Sequence, residues 1–358
     1  MDNTAFTMKD YIVSTTKKGI DWIAKKKEIL ADTMKLIRNK QYDRIVIVAT
    51  GSSYNAATES RIALQHILGI STSIVEANIY STYDYKYYKN SLIIGISQSG
   101  TSKSTIAAMK IARNINSDVI IFTSDKNSPI SEYASSVVDI GCGHEELDYV
   151  TLGHNMTLIA LFGFAVYGSF CLGKITDAKC AEYFNELENI LNGIEIAANS
   201  SEQWYEKNKK ELLAMKRVYL IGSGPNYGTC AEGALKLVET LHINATYHEI
   251  ESFTHGPHLA VDKYSYCICI GGYDKEKEKI EAVFNGFCDT TEYSYFIGCR
   301  DVNDKCMCFS SEYREIFSPL ACVIPLQMLT FLLCRDKNID LIHDQQQEFR
   351  KYVTGHLY

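Results

Sequence analysis

The stretch Ser91-Leu-Ile-Ile-Gly-Ile-Ser97-Gln-Ser-Gly-Thr-Ser102 decides the fold. An apolar run of strand length ends in a turn made almost wholly of Ser, Thr and Gly. A helical pattern, Lys103–Asn114, follows at once, and a third apolar run, Val119–Thr123, comes after it. Upstream the same order is already present. Arg44-Ile-Val-Ile-Val-Ala49 leads into Thr50-Gly-Ser-Ser53, and a helical pattern runs on to Leu68. Strands that alternate with helices through short small-residue turns predict βαβ units and a parallel sheet.

The pattern then repeats. Arg217-Val-Tyr-Leu-Ile-Gly-Ser-Gly224 reads as a strand entering a glycine turn, with a helix over Cys230–Leu241. A shift of 173 residues aligns Arg44 with Arg217, Ile45 with Val218 and Gly51 with Gly224. It also aligns Tyr54 with Tyr227, Glu59 with Glu232 and Leu64 with Leu237. Six matches in one strand–turn–helix context indicate an internal duplication. Tyr266–Gly271 fits the second strand of the second half, and a helix over Tyr183–Lys210 joins the halves. The expected division is a helical segment over 1–40, a first domain over 41–195, and a second over 196–358 that carries a C-terminal tail.

The serine turn carries chemistry. First-turn amides of a helix lack intrahelical partners, and the helix dipole adds partial positive charge there. Gly100 allows close backbone approach, and Ser97, Ser99, Thr101, Ser102 and the amide of Gln98 can all donate to an anion. A helix cap needs one hydroxyl; four suit a phosphate monoester held by neutral donors, without the lysine of a Walker loop. Ser52 and Ser53 end the preceding strand, beside the same carboxyl-end crevice of an open α/β sheet.

These residues resemble the sugar isomerase (SIS) domain family. The likeness is greatest to the isomerase half of glucosamine-6-phosphate synthase and to the fructosamine-6-phosphate deglycases. Thr50-Gly-Ser-Ser-Tyr54, the Ser97–Ser102 turn, and Glu232-Gly-Ala-Leu-Lys-Leu-Val-Glu239 with His255-Gly-Pro257 carry it, over nearly the whole chain. The resemblance implies two tandem SIS domains, each a parallel-sheet α/β/α sandwich of flavodoxin-like kind. It implies a homodimer with its active site in the subunit cleft and a sugar phosphate as ligand. By the same resemblance Ser53, Ser97, Gln98, Ser99 and Ser102 hold the phosphate, and Glu239 moves a proton between C1 and C2. His255 assists ring opening from the partner subunit, and Lys351, in Arg350-Lys-Tyr-Val-Thr354, enters the site.

The residue chemistry points the same way. Aldose–ketose interconversion needs one base to carry a proton across adjacent carbons, an acid–base pair for ring opening, and a donor or cation for the developing oxyanion. Glu239 lies three residues after Lys236 and seven after Glu232, on one helical face, so Lys236 joins the catalytic candidates. Glu251, four residues before His255, is placed either to orient that imidazole or as a solvated loop acid.

Several features set limits. The synthases carry an N-terminal glutaminase with cysteine directly after the initiator methionine. Asp2 stands there in this chain and the first cysteine is Cys142, so glutamine hydrolysis is not expected. The family's Ser-Thr-Lys loop corresponds to Val150-Thr-Leu152, with leucine in place of lysine, which puts the substrate's open chain against different chemistry. Glu251-Ser-Phe-Thr-His-Gly-Pro257 is similar to the deglycase version. No cofactor or metal is expected: Gly256-Pro257 breaks helical ligand spacing around His255 and His258, and His144-Glu-Glu is not HExxH.

With 358 residues, 36 Lys+Arg against 43 Asp+Glu and a net charge of −7, the chain has ordinary globular composition and no basic stripe. Nucleic acid is not an expected partner. Its twelve cysteines include no CxxC pair and read as mostly buried thiols of a reducing cytoplasm, and the polar Met1–Lys9 offers no apolar leader core. Asn155–Gly173 and Ile316–Cys334 approach membrane-spanning length but are interrupted by Gly, Pro and polar residues, so they read as buried core or subunit-interface helices. The enzyme expected is an isomerase or deglycase acting on a ketose or fructosamine 6-phosphate. The alternative is a non-catalytic sugar-phosphate-binding regulator, which would have no need of Glu239, His255 and Lys351 together. A nucleotide-binding α/β protein fits poorly, because neither Gly51-Ser-Ser nor Gly222-Ser-Gly-Pro completes GxGxxG.

Overall fold

The computed structural model describes residues 6–271, 274–299, 303–309, 313–341, 352 and 355. The chain forms two compact units, one centred on Thr15–Leu191 and one on Asn192–Ile342. Helices α1 (Met8–Ile29) and α2 (Ala31–Asn39) open it.

The first unit continues with β1 (Arg44–Ala49), α3 (Ser52–Leu68), β2 (Ser71–Glu76), a single turn α4 (Ala77–Ile79), β3 (Leu92–Ile96) and α5 (Lys103–Asn114). Then come β4 (Val119–Thr123), β5 (Ser136–Asp139) and α6 (Leu152–Cys171). All strands are parallel, in the order β2-β1-β3-β4-β5. β3 and β4 are buried along their whole length, as expected of strands covered on both faces. Val46, Val48, Ile93, Val119 and Ile121 pack with Ala108, Met109 and Ala112 of α5. On the other face, Phe122 meets Phe164 of α6 edge-on at 5.9 Å.

Helix α7 (Asp177–Ala214) leads to the second unit: β6 (Arg217–Gly222), α8 (Asn226–Leu241), β7 (Asn244–Glu249), a short α9 (Ile250–Thr254), β8 (Tyr266–Gly271) and α10 (Lys277–Thr290). It closes with β9 (Ser294–Gly298), β10 (Cys306–Cys308) and α11 (Pro319–Lys337). Its sheet, β10-β9-β8-β6-β7, repeats the first order read in reverse, again all parallel. The duplication read from six aligned residues is therefore a duplication of topology. Two tandem flavodoxin-like α/β units is the observed fold class. One face of the second sheet packs Ile221, Cys267, Cys269 and Phe296 against Ile280, Phe284 and Phe287 of α10.

The two long apolar helices are interior elements. Within both α6 and α11, 83% of the most apolar window is buried inside the protein. All twelve cysteines are thiols, seven of them buried.

Candidate active site

In each unit the strand order reverses between the first and third strands. In the first unit this switch point lies between β1 and β3, where connections leave toward opposite faces and a crevice opens at the carboxyl ends. The crevice is a cleft of about 680 Å³, and three helix N-termini line it. Ser52 and Ser53 start α3, Ser102, Ser104 and Thr105 surround the start of α5, and Gly153, His154 and Thr157 belong to the first turns of α6. Ser97, Gln98 and Ser99 complete the wall. Among the described lining residues none is lysine or arginine and Asp125, Glu145 and Asp148 are acidic, so what could receive an anion here is the set of hydroxyls, amides and helix N-termini.

Two glycines make this geometry possible. Gly100 has φ +69°, and a Cβ on it would lie 1.9 Å from the Ser128 hydroxyl, so the serine turn closes only around glycine. A Cβ on Gly153 would lie 2.1 Å from the Gln98 side-chain carbonyl carbon; the bare α6 backbone leaves the Gln98 amide its place. Glu145 caps α6, accepting from Thr151 N at 2.8 Å, Thr151 Oγ1 at 3.0 Å and Gly153 N at 3.1 Å.

Of the expected phosphate ligands, Ser52, Ser53, Ser97, Gln98, Ser99 and Ser102 share the cleft. Thr101 does not line it; its hydroxyl bonds that of Ser99 at 2.8 Å and so sets the Ser99 rotamer from behind. Lys351 lies outside the described residues. Gly355, four residues on, does reach the cleft, where its carbonyl accepts from Lys103 N at 2.9 Å.

Sequence reasoning missed His154 and Glu59. His154 Nδ1 lies 3.2 Å from Ser52 Oγ and 3.3 Å from the Ser52 carbonyl oxygen, while Nε2 lies 2.9 Å from Glu59 Oε2. The signal for Glu59 was its alignment with Glu232. His154 sits in an apolar run that reads as core.

The second unit holds the acid–base candidates on α8. Lys236 is fully buried, with Nζ 2.6 Å from Glu239 Oε1 and 3.3 Å from Glu232 Oε1. This is not a surface i,i+3 pair. Burial works to lower the lysine's pKa, but the Glu232 and Glu239 carboxylates outweigh it and raise it. Glu239, 28% exposed, is pushed above the ordinary glutamate range by burial, with the Lys236 ammonium opposing. That is the setting of a general base. His255 follows α9 and is exposed; its Nδ1 donates to the Glu251 backbone carbonyl at 2.8 Å, which leaves Nε2 as the basic nitrogen of the neutral ring. The Glu251 carboxylate is farther from the ring, at 3.6 Å, and pairs with Lys279. The backbone, not the acid, orients the imidazole. Among the described residues no cluster could hold a metal ion.

The fold defines the class: a tandem pair of doubly wound α/β units with an anion-suited crevice at a switch point. The SIS domain family model matches residues 36–161 and 211–285, and the chain belongs to that family. It is 26% identical over 338 residues, 91% of its length, to a glutamine–fructose-6-phosphate aminotransferase (isomerizing) of Caldanaerobacter subterraneus. It spans about half the length of such curated relatives, 54% in that case. A structure from Clostridium difficile 630, provisionally classed as a phosphosugar isomerase, superposes with TM-score 0.91, 24% identity and 99% of each chain covered. The C-terminal domain of glucosamine-fructose-6-phosphate aminotransferase from Francisella tularensis gives 0.83 at 21% identity, covering 95% of this chain and 98% of that one. The resemblance read from the serine turn is thereby borne out.

Proposed function

We propose that this chain is a phosphosugar isomerase or deglycase that moves a proton between C1 and C2 of a ketose 6-phosphate or fructosamine 6-phosphate. The observation that carries the reading is the cleft in which six of the expected donors meet at helix N-termini, with no lysine or arginine among its described lining residues. Ser52, Ser53, Ser97, Gln98, Ser99 and Ser102 take the phosphate. Glu239 removes the proton from C1 to give an enediol, or an enaminol from a ketoamine, and returns it to C2. Lys236 holds that carboxylate and supplies positive charge beside it. His255 serves ring opening, and Lys351 stabilises the oxyanion.

With a ketose the product is the aldose phosphate. With a fructosamine the product is an aldimine, which water splits to hexose phosphate and free amine. The same base serves both. The geometry of Glu239 and Lys236 favours catalysis over mere sensing, since a binding module gains nothing from a buried lysine that holds a carboxylate with a raised pKa. The assembly proposed is a cytoplasmic homodimer with a shared site.

A thermal-shift panel of fructose 6-phosphate, glucosamine 6-phosphate and fructosamine 6-phosphates against their unphosphorylated forms tests the reading. Stabilisation confined to phosphorylated members is expected, and the member with the largest shift names the substrate group. Stabilisation by the unphosphorylated sugars instead would remove the phosphate cradle from the account.

A further inference from the structure

Helix α6 is capped from a distance, and its cap belongs to the cleft wall. Thr151 stands at the N-cap, where threonine ordinarily caps a helix with its own hydroxyl, yet its side chain makes no such bond. The Glu145 carboxylate takes that place from six residues upstream. Its Oε1 accepts from Thr151 N at 2.8 Å, from Thr151 Oγ1 at 3.0 Å and more weakly from Leu152 N at 3.4 Å. Its Oε2 accepts from Gly153 N at 3.1 Å. Backbone N–H groups only donate, so the direction of these contacts is fixed. Glu145 is 7% exposed and lines the cleft.

A carboxylate in this wall repels an incoming anion, and no lysine or arginine among the described lining residues offsets it. What it secures is position. The connection 140–151 from β5 to α6 turns at Gly141 and Gly143, with φ +75° and +70°. Gly143, His144, Leu147, Asp148 and Val150 from this connection line the cleft, and Glu145 ties its middle to α6. Gly153, held at its N–H, is also the residue that meets Gln98: a Cβ on it would lie 2.1 Å from the Gln98 side-chain carbonyl carbon. The Gln98 backbone is anchored separately, its carbonyl oxygen accepting from Ser124 N at 2.9 Å and Ser124 Oγ at 2.7 Å. Its side chain therefore runs from a fixed backbone to the first turn of α6, and the Glu145–Gly153 bond sets where that turn stands.

We propose that Glu145 is a positioning residue for the phosphate site: by holding Gly153 it keeps the first turn of α6 against the Gln98 side chain, which fixes that amide as a donor to the ligand. It acts through Gln98 and does not touch the ligand. The inference rests on the proposed phosphate cradle.

A double-mutant cycle tests it. Calorimetric titration of inorganic phosphate and of fructose 6-phosphate into the full chain compares wild type, Glu145→Gln, Gln98→Ala and the double variant. Gln at 145 keeps one acceptor oxygen and loses the other, together with the charge. Loss of charge alone would tighten anion binding; loss of position weakens it. Each single change is expected to weaken both ligands about fivefold, the scale of one hydrogen bond. The double variant is expected within about twofold of Gln98→Ala alone, because the two act through one amide. A cap that served only the stability of α6 would show no such coupling.

Tighter or unchanged binding by Glu145→Gln overturns the inference and leaves the cradle intact. A loss of the same size in the Gln98→Ala background does so too. A wild-type protein that binds neither ligand overturns the cradle and this inference with it. Glu145→Asp keeps the charge and draws the carboxylate back by one methylene. It is carried through the same cycle, so that the result stands even if Glu145→Gln does not fold. It is expected to lose affinity only while Gln98 is present; unchanged affinity, or a loss that persists in Gln98→Ala, counts against the proposal.

Discussion

The Lys236 ammonium lies 2.6 Å from Glu239 Oε1 and 3.3 Å from Glu232 Oε1, one cation between two carboxylates on neighbouring turns of α8. Glu232 and Lys236 are fully buried, whereas Glu239 keeps partial access to solvent. The arrangement puts a buried charge behind a partly accessible carboxylate, and it gives each of the three residues a different mutational signature.

Glu239→Gln removes the proposed base and keeps its shape. Turnover is expected to fall about 10³-fold, within the range for general acid–base groups. Thermal stabilisation by phosphosugar should persist, because the proposed phosphate donors sit on other elements. Deuterium from heavy water should enter C1 or C2 of the substrate in wild type and not in the variant. Undiminished turnover in Glu239→Gln would disprove the assignment of the base.

Lys236→Met takes from the buried Glu232 the ammonium that lies 3.3 Å from it. Breaking a buried pair by removing one partner costs about 3–5 kcal/mol, read as a shift in urea midpoint. The double variant Lys236→Met, Glu232→Gln should recover part of that loss, because the stranded charge is gone. If the single variant is as stable as wild type, the lysine is not what neutralises Glu232.

The pH profile follows from the sign of the Glu239 shift. Burial raises its pKa from 4.5, with Lys236 opposing. The working form is the carboxylate, so kcat/KM should fall as pH drops through the raised value. The acid limb should therefore lie above the limb of an exposed glutamate. An acid limb at or below 4.5 would assign the titration to another group.

Gly153→Ala places a methyl where the Gln98 amide now lies. Gln98 is the flexible partner and gives way. The expected result is a modest change in melting temperature and a several-fold loss of phosphosugar affinity, seen in titrations of both singly substituted Gly153→Ala and Gln98→Ala. Gly100→Ala differs, because a positive φ and the Ser128 side chain both oppose it; there the melting temperature itself should fall.

Acid stability of the second unit should track Asp336. Its hydrogen bond from Arg335 holds the carboxyl well below its ordinary 3.8 against the opposing effect of burial, with Lys209 and Tyr205 adding to the depression. A depressed carboxyl stabilises the fold above its unfolded value and loses that contribution as pH falls through the folded one. Asp336→Asn should flatten the loss of stability below about pH 4, as followed by acid titration of the circular dichroism. An unchanged slope would place the acid sensitivity elsewhere.

Legibility in the sequence followed unbroken apolar runs rather than burial alone, since β9, equally buried, was not read. β3, β4 and β8 are covered on both faces and so consist of unbroken apolar runs, which is why Ser91–Ser97, Val119–Thr123 and Tyr266–Gly271 were readable. β7, Asn-Ala-Thr-Tyr-His-Glu, is an edge strand with no fully buried position and has no such signature. β5 is an edge strand of four residues, too short for one. The helical segment expected over 1–40 divides at Leu30 into α1 and α2, and no glycine or proline marks the break.

The serine turn, the duplicated strand–turn–helix and the Lys236–Glu239 spacing were determined by sequence alone, because each is a local pattern whose meaning depends on a few neighbouring residues. The pairing of Glu59 with His154, 95 positions apart, was decided only when α3 packed against α6. The same holds for Lys236. Its place beside Glu239 follows from helical spacing, but its burial depends on what covers α8. Charge on a helix face is a local property; exclusion of water from that charge is made by packing between distant segments, and that is what turns a solvated ion pair into an electrostatic site.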